Sequence, residues 1–397
     1  MERPAPVAIL AALRSPIGRF GGGLAGLTSR ELAVPVVQAA LRRAGVEPAE
    51  VGEVVIGNAR QAGGGPNVAR QIAYHSGIAQ ESPAFTVNMA CASGLKAIAL
   101  AADSIRLGRA RVAVAGGTES MSRLPFYLPR FRDGYRLGHD AVVDGMYRDG
   151  FDCPLCGQVM GRTAENLVDR YRIARAEQDA YAVESQRRAG QAIAAGLFRE
   201  EIVPLAAPGP KGEPMTIGAD EHPRPDATVE KMAKLPPVFR EGGSVHAGNS
   251  SGITDGAAAL VLASASYVAE RGLEPLAWVR ESAEAGVDPA VMGIGPVPAF
   301  RRLVAAGGPP LERYDLVELN EAFAAQVLAC LAELPIPRER LNVNGGAIAL
   351  GHPIGATGAR IVVTLLAEMR RRQVAEGLAT LCVSGGMGMA LRVSRTA

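Results

Sequence analysis

The chain has 397 residues, with 42 basic side chains against 40 acidic ones and 48% apolar residues. That length exceeds the roughly 100–200 residues of an ordinary domain, so two or three units are expected. The charge balance gives no drive toward nucleic acid or an anionic membrane, and charges interrupt every apolar stretch short of the roughly 18–20 residues of a membrane span, so a soluble protein acting on a small molecule is expected.

The first apolar run, VAILAAL, has only Arg3 before it and ArgSerProIle after it, not a small-residue cleavage site, and reads as a strand instead of a signal peptide. From there to residue 117 short β-rich runs alternate with helical ones: TSRELAVPVVQAALRRAG, EVVIGN, PNVARQIAYHSGI, AFTVN, ASGLKAIALAADSIRLG and RVAVAGG. This is the pattern of βαβ units around a mostly parallel sheet. Thr28 and Glu31 suit a capping box, and Gly45 and Gly108 stand where helices should end. A second alternation follows Pro275: PLAWVRES, PAFRRLVAAG, YDLVELN, EAFAAQVLACLAEL, RLNVN, GATGARIVVTLLAEMRRR, LATLCVSGG and MALRV. The parallels of AFTVN with LNVN and of RVAVAGG with TLCVSGG predict an internal duplication. The second copy passes straight from SGG to its last strand, whereas the first finds its matching strand, AAALVLAS, only near Ala257, so residues 118–250 read as an insertion covering a site.

Five cysteines, Cys91, Cys153, Cys156, Cys330 and Cys382, are an odd number without a secretory signal and predict free thiols in a reducing compartment, hence a cytoplasmic protein. Cys91 follows a strand and precedes a helix, where the helix N-terminus favours thiolate; a small buried hydrophobe is the competing reading. His352 sits in a glycine-rich strand-to-helix turn as a candidate general base, or as a turn residue bonded to backbone. His75, His139, His222 and His246 read as structural or solvent-facing. Cys382 ends a second-half strand beside SerGlyGly, where a thiol can exchange a proton and backbone N–H groups can hold an oxyanion. Asn320 ends another strand, suited to binding an oxyanion, directly or through water, or to capping the next helix. All four fall at the carboxyl edge of the predicted sheets, where ligands bind. The CPLC pair lacks a second pair or a nearby His, so no metal is expected. The GGG runs lack the Lys and Ser or Thr of a phosphate loop.

The segments RSPIGRFGG, NMACASGLKA, GGTESMS, TAEN, EQDAYAVESQ, AGNSSGITDGAAA, MGIGPVPA, ELNEAFAAQ, NVNGGAIALGHPIGATGAR and CVSGGMG closely resemble the thiolase family over essentially the whole chain. The resemblance implies an α/β thiolase fold in which two duplicated βαβαβαββ halves form a five-layered αβαβα sandwich. Residues 1–117 with 251–272 would make the first half, 118–250 the inserted loop domain and 273–397 the second half. It implies acetyl-CoA C-acetyltransferase chemistry, in which Cys91, deprotonated by His352, takes the acyl group. Cys382 then removes an α-proton from acetyl-CoA, and the enolate attacks the acyl-enzyme. In reverse, CoA cleaves a 3-ketoacyl-CoA. Asn320 would hold a water forming one oxyanion site with His352, and the backbone N–H groups of Cys91 and Ser384 the other. Arg224 would meet the nucleotide part of CoA and Ser251 its pantetheine, with Phe239, Met160, Met292 and Phe323 lining the tunnel. No cofactor beyond the CoA thioesters is implied, and a homotetramer is.

Ser384 replaces a glycine common among relatives. Val159 replaces the His of acetoacetyl-CoA-dedicated relatives, which leaves a longer-chain degradative 3-ketoacyl-CoA thiolase open. GFDCPLCGQ matches no catalytic motif. A ketoacyl synthase would lack a second catalytic Cys, and a non-catalytic CoA-binding protein would have no need of Cys91, His352 and Cys382 together.

Overall fold

The computed structural model describes residues 6–209 and 212–396; Arg3 lies outside them. The first half comprises β1 (Val7–Arg14), α1 (Ser29–Ala44), β2 (Glu53–Gly57), α2 (Val68–His75), β3 (Ala84–Val87), α3 (Ser93–Arg106) and β4 (Val112–Ser120). Its local signals act as read. Thr28 and Glu31 form a capping box on α1, and Gly45, at φ 65°, accepts the left-handed turn that ends it. The intervening segment contributes α4 (Met160–Tyr171) and α5 (Arg175–Ala194), and β5 (Thr254–Ser264) completes the half. The second half comprises β6 (Ala277–Gly286), α6 (Pro296–Ala305), β7 (Leu316–Leu319), α7 (Ala324–Glu333), α8 (Ile354–Arg372), β8 (Glu376–Val383) and β9 (Met387–Ser394).

The strands run in the order β7-β8-β9-β6-β1-β5-β4-β2-β3. Read as halves, β3-β2-β4-β5-β1 and β7-β8-β9-β6 follow one spatial order, parallel on one side and antiparallel on the other, which is the duplication seen in three dimensions. The counterpart of β3 is the exception. RLNVN, expected as a strand, makes only an isolated parallel bridge, Leu341 to Val317, because Asn342 turns left-handed at φ 44° and spends its side chain on Leu319 and Glu321. The halves also share an edge, where Val7–Ile9 of β1 pair with Ala277–Val279 of β6.

Alternation along the strands divides the core into layers. In β5, Ala258, Leu260 and Leu262 face α3 and α8, while Ala257, Ala259 and Val261 face α1 and α2. In β8, Ala379, Leu381 and Val383 face the same central helices, and Leu378 joins the outer layer with α6 and α7. The result is helix, sheet, paired helices, sheet, helix. Each fully buried Leu, Ile or Val contributes about 1.5–3 kcal/mol.

The central helices meet almost backbone to backbone. A Cβ at Gly94 of α3 would stand 2.8 Å from the amide nitrogen of Ala359 in α8, and one at Gly358 would collide with the Leu95 amide. Gly94→Ala is therefore expected to cost about 1–3 kcal/mol through overpacking, read as a lower urea midpoint; an unchanged midpoint would mean that this crossing is not close.

Candidate active site

Cys91 lies in a single tight turn, residues Ala90–Ala92, between β3 and α3. Ala90 adopts φ 46°, an uncommon conformation for a residue with a side chain. Three side-chain bonds hold it there: Asn88 Oδ1 accepts from the Ala90 N–H at 3.0 Å, Ser93 Oγ accepts from the Met89 N–H at 2.9 Å, and Ser93 donates to the Ala90 carbonyl at 2.6 Å. The amides of Ser384 and of Cys91 itself both turn toward the Cys91 sulfur. Burial nevertheless pushes this thiol up, against the pull of those N–H groups and of Arg60. The expected depressed thiol is thus corrected: desolvation outweighs the N–H groups and Arg60.

His352 precedes α8. Its Nδ1 lies 2.6 Å from Thr357 Oγ1, which donates its own hydrogen to the Pro353 carbonyl at 3.0 Å. The hydroxyl must therefore accept from Nδ1–H, leaving the lone pair on Nε2, which is buried without a partner among the described residues. Burial, reinforced by Arg360 and Arg60, lowers this imidazole to about 3. Cys382 is fully buried in an apolar cluster with Met160, Met292, Ala322 and Phe323. Burial, and then the Cys91 sulfur, push its thiol well above the ordinary value.

Cys91, His352, Cys382 and Ser384 open onto one cavity of about 630 Å³, shared with Arg224, Ser251, Phe239, Met160, Met292 and Phe323. Phe239 meets Phe323 edge to face at 6.1 Å, and Gly161 leaves the room that the Phe239 ring fills. Arg224 is exposed at the mouth. Asn320 stands apart: it is buried beside the cavity without lining it, and neither amide atom has a partner among the described residues. It does not cap α7, whose N-cap is Phe323.

Supporting residues escaped the sequence reading. Glu119 belongs to β4, which runs three residues past the expected boundary at 117. Its carboxylate accepts from Asn58 Nδ2 at 2.7 Å, the Ala59 and Arg60 amides at 3.2 and 3.1 Å, and the Gly355 amide at 2.8 Å. Glu321 takes Tyr181, Ser185, Asn342 and the Ile348 amide, fastening α5 to the loop that carries His352. His222 donates Nδ1–H to the Ala349 carbonyl at 2.9 Å and lines the cavity, whereas His246 bonds Asp179 at 2.7 Å and is structural. Cys153 and Cys156 sit in the hairpin Asp152–Cys153/Gln158–Val159; among the described residues no group of three or more His, Cys, Asp or Glu could hold a metal ion. No helix among them is long and apolar enough to cross a membrane.

The thiolase N-terminal domain family matches residues 7–266 and the thiolase C-terminal domain family residues 273–395. An acetyl-CoA acetyltransferase of Pseudomonas aeruginosa is 51% identical over 98% of this chain and 99% of its own. One of Chromobacterium violaceum is 50% identical over the same shares. The crystal structure of the Bacillus anthracis acetyl-CoA acetyltransferase superposes with a TM-score of 0.97 at 47% identity, covering 99% of this chain and 100% of that one. With both halves matched and the layered fold superposing end to end, the chain belongs to the thiolase family.

Proposed function

We propose that the chain is an acetyl-CoA C-acetyltransferase, joining acetyl-CoA to an acyl-CoA by reversible Claisen condensation and cleaving 3-ketoacyl-CoA with CoA through an acyl-Cys91 intermediate. The observation that carries this reading is that two thiols, Cys91 and Cys382, and an imidazole whose Nε2 is left without a partner among the described residues line one cavity. The names of the close relatives support the acetyl group.

His352 Nε2 takes the proton of Cys91, and the thiolate attacks the thioester carbonyl. The oxyanion is held by the N–H groups of Cys91 and Ser384. Cys382, kept protonated by burial, protonates the departing CoA sulfur and becomes the thiolate that removes the α-proton of acetyl-CoA. The enolate oxygen receives Nε2–H of His352 and a water held by Asn320, whose otherwise unpartnered amide suits that task. Attack on acyl-Cys91 expels its sulfur, which recovers the proton from His352. Arg224 at the mouth fits the nucleotide end of CoA, Ser251 the pantetheine, and Phe239, Met160, Met292 and Phe323 the apolar passage between. We assign residues 118–250 to CoA binding and the flanking residues to the two halves. Val159 lines the cavity and leaves acyl groups longer than acetyl open as additional substrates.

A homotetramer is part of this reading. It is supported by β3, an edge strand with Phe85 exposed, and by the exposed Phe126, Leu128, Phe131, Tyr135 and Leu137. Five cysteines without a disulfide suit a reducing cytoplasm. A monomer in light scattering after size exclusion would remove the tetramer.

Cys91→Ala is expected to abolish CoA-dependent cleavage of acetoacetyl-CoA without unfolding the protein; turnover in that variant would refute the nucleophile. Cys382→Ala, lacking the acid for the departing CoA sulfur, should still accumulate acyl-Cys91 from acetyl-CoA, seen by mass spectrometry, but more slowly than the parent, and should lose at least about a hundredfold in turnover. His352 should stay neutral and Nδ1-protonated from pH 8 to pH 5 by nitrogen NMR. Its unfolded-state counterpart takes up a proton near 6.5 and the folded one only near 3, so this residue makes stability fall as pH drops between those values. His352→Gln should flatten that fall in urea titrations, and an unchanged slope would contradict a buried neutral imidazole.

A further inference from the structure

Arg60 has no part in the chemistry above, yet its side chain lines the same cavity. The residue is only 6% exposed. Its guanidinium lies over the Phe151 ring, 5.2 Å from the centroid, and the absence of a side chain at Gly150 makes the space it occupies. Those two contacts are with apolar or backbone groups, and two of its three nitrogens, Nε and Nη2, are buried without a hydrogen-bond partner among the described residues. Glu119 and Asp149 attract this charge, but Glu119 is already used by the amides of Ala59, Arg60 and Gly355 and by Asn58, and Asp149 accepts from the Tyr127 hydroxyl. The other charged residues around the cavity, Arg224, Asp226 and Lys231, are exposed, and Lys231 pairs with Asp226 at 2.6 Å.

A buried guanidinium whose fork is left open is costly unless an anion completes it, and a carboxylate matches that fork in two parallel bonds. Arg60 lines the same cavity as Cys91 and His352, and its charge acts on both, so it stands at the acylation centre. An anion there belongs to the acyl part of the substrate, since the phosphates of CoA would stay at the mouth.

We propose that Arg60 is a specificity-determining residue that binds the terminal carboxylate of a short ω-carboxyacyl group carried on Cys91, so that the enzyme accepts dicarboxylic 3-ketoacyl thioesters beside acetyl substrates. The proposal rests on the acyl-Cys91 reading. No new bond chemistry is involved: Cys91 displaces CoA from the thioester as before, and the carboxylate changes neither charge nor bonding.

The test compares acylation of Cys91 by succinyl-CoA and by butyryl-CoA, chains of equal length ending in carboxylate and in methyl, with acetyl-CoA as a third donor. Rates are followed by mass spectrometry in the parent, Arg60→Met and Arg60→Lys. The parent should favour succinyl over butyryl by roughly tenfold to a hundredfold, the scale of a charge-assisted hydrogen bond. Arg60→Met should bring that ratio to one or below, and Arg60→Lys should restore part of it. A parent ratio near one, or an Arg60→Met variant that slows all three donors by the same factor, overturns the proposal, the latter assigning Arg60 to tuning the Cys91 thiol. Failure of acetyl-CoA to acylate the parent would instead remove the acyl-Cys91 reading.

Discussion

The hydrogen bonds onto the buried carboxylate of Glu119 join the two halves of the molecule at the point where they must meet. Three donors, the Ala59 and Arg60 amides and the Asn58 side chain, come from the loop after β2, and the fourth is the Gly355 amide at the start of α8. Desolvation raises the proton affinity of this group, and the N–H groups and Arg60 oppose that rise. Removing any donor would leave part of a buried carboxylate unsatisfied, at about 1–3 kcal/mol. The position of α8 relative to the first half is therefore tightly held.

The placement of the reactive groups follows from that junction. The helix that begins just after His352 is pressed against the helix that begins just after Cys91, and neither crossing point tolerates a side chain. Short turns before each helix then leave thiol and imidazole nowhere to go but into the space between the halves. Cys382 and Ser384 reach the same space from the end of β8, which lies beside the central helices. A duplicated fold places two equivalent strand edges face to face, and the proposed chemistry draws on both.

Electrostatics in the cavity favours neutral reactants. Both thiols are raised and the imidazole is lowered, each chiefly by burial. In the proposed mechanism the proton passes from Cys91 to His352 only with the thioester in place, where the N–H groups of Cys91 and Ser384 would take up the developing charge. A resting thiolate would be exposed to oxidation and stray electrophiles. The same low-dielectric setting makes the open fork of Arg60 conspicuous.

Much of this was present in the residues read in order. The helical patterns, the capping box at Thr28, the duplication and the strand-end positions of Asn320 and Cys382 depend on neighbours in sequence and appear in the structure as read. Cys91, by contrast, sits in a turn beyond the end of β3, and the sheet expected to be mostly parallel has more antiparallel pairings than parallel ones. RLNVN failed because Asn342 is drawn away by Glu321 and Leu319, partners a local pattern does not contain. Thr357 could have been noticed, five residues after His352 and one helical turn past Pro353. Glu119 and Arg60 could not: Glu119 is buried against the start of α8 in the other half, and Arg60 against Phe151 and Gly150 of the intervening segment, partners that no local pattern contains. The sequence alone determined which groups could react; only the tertiary structure decided their protonation, because desolvation belongs to the assembled cavity and to no segment of the chain.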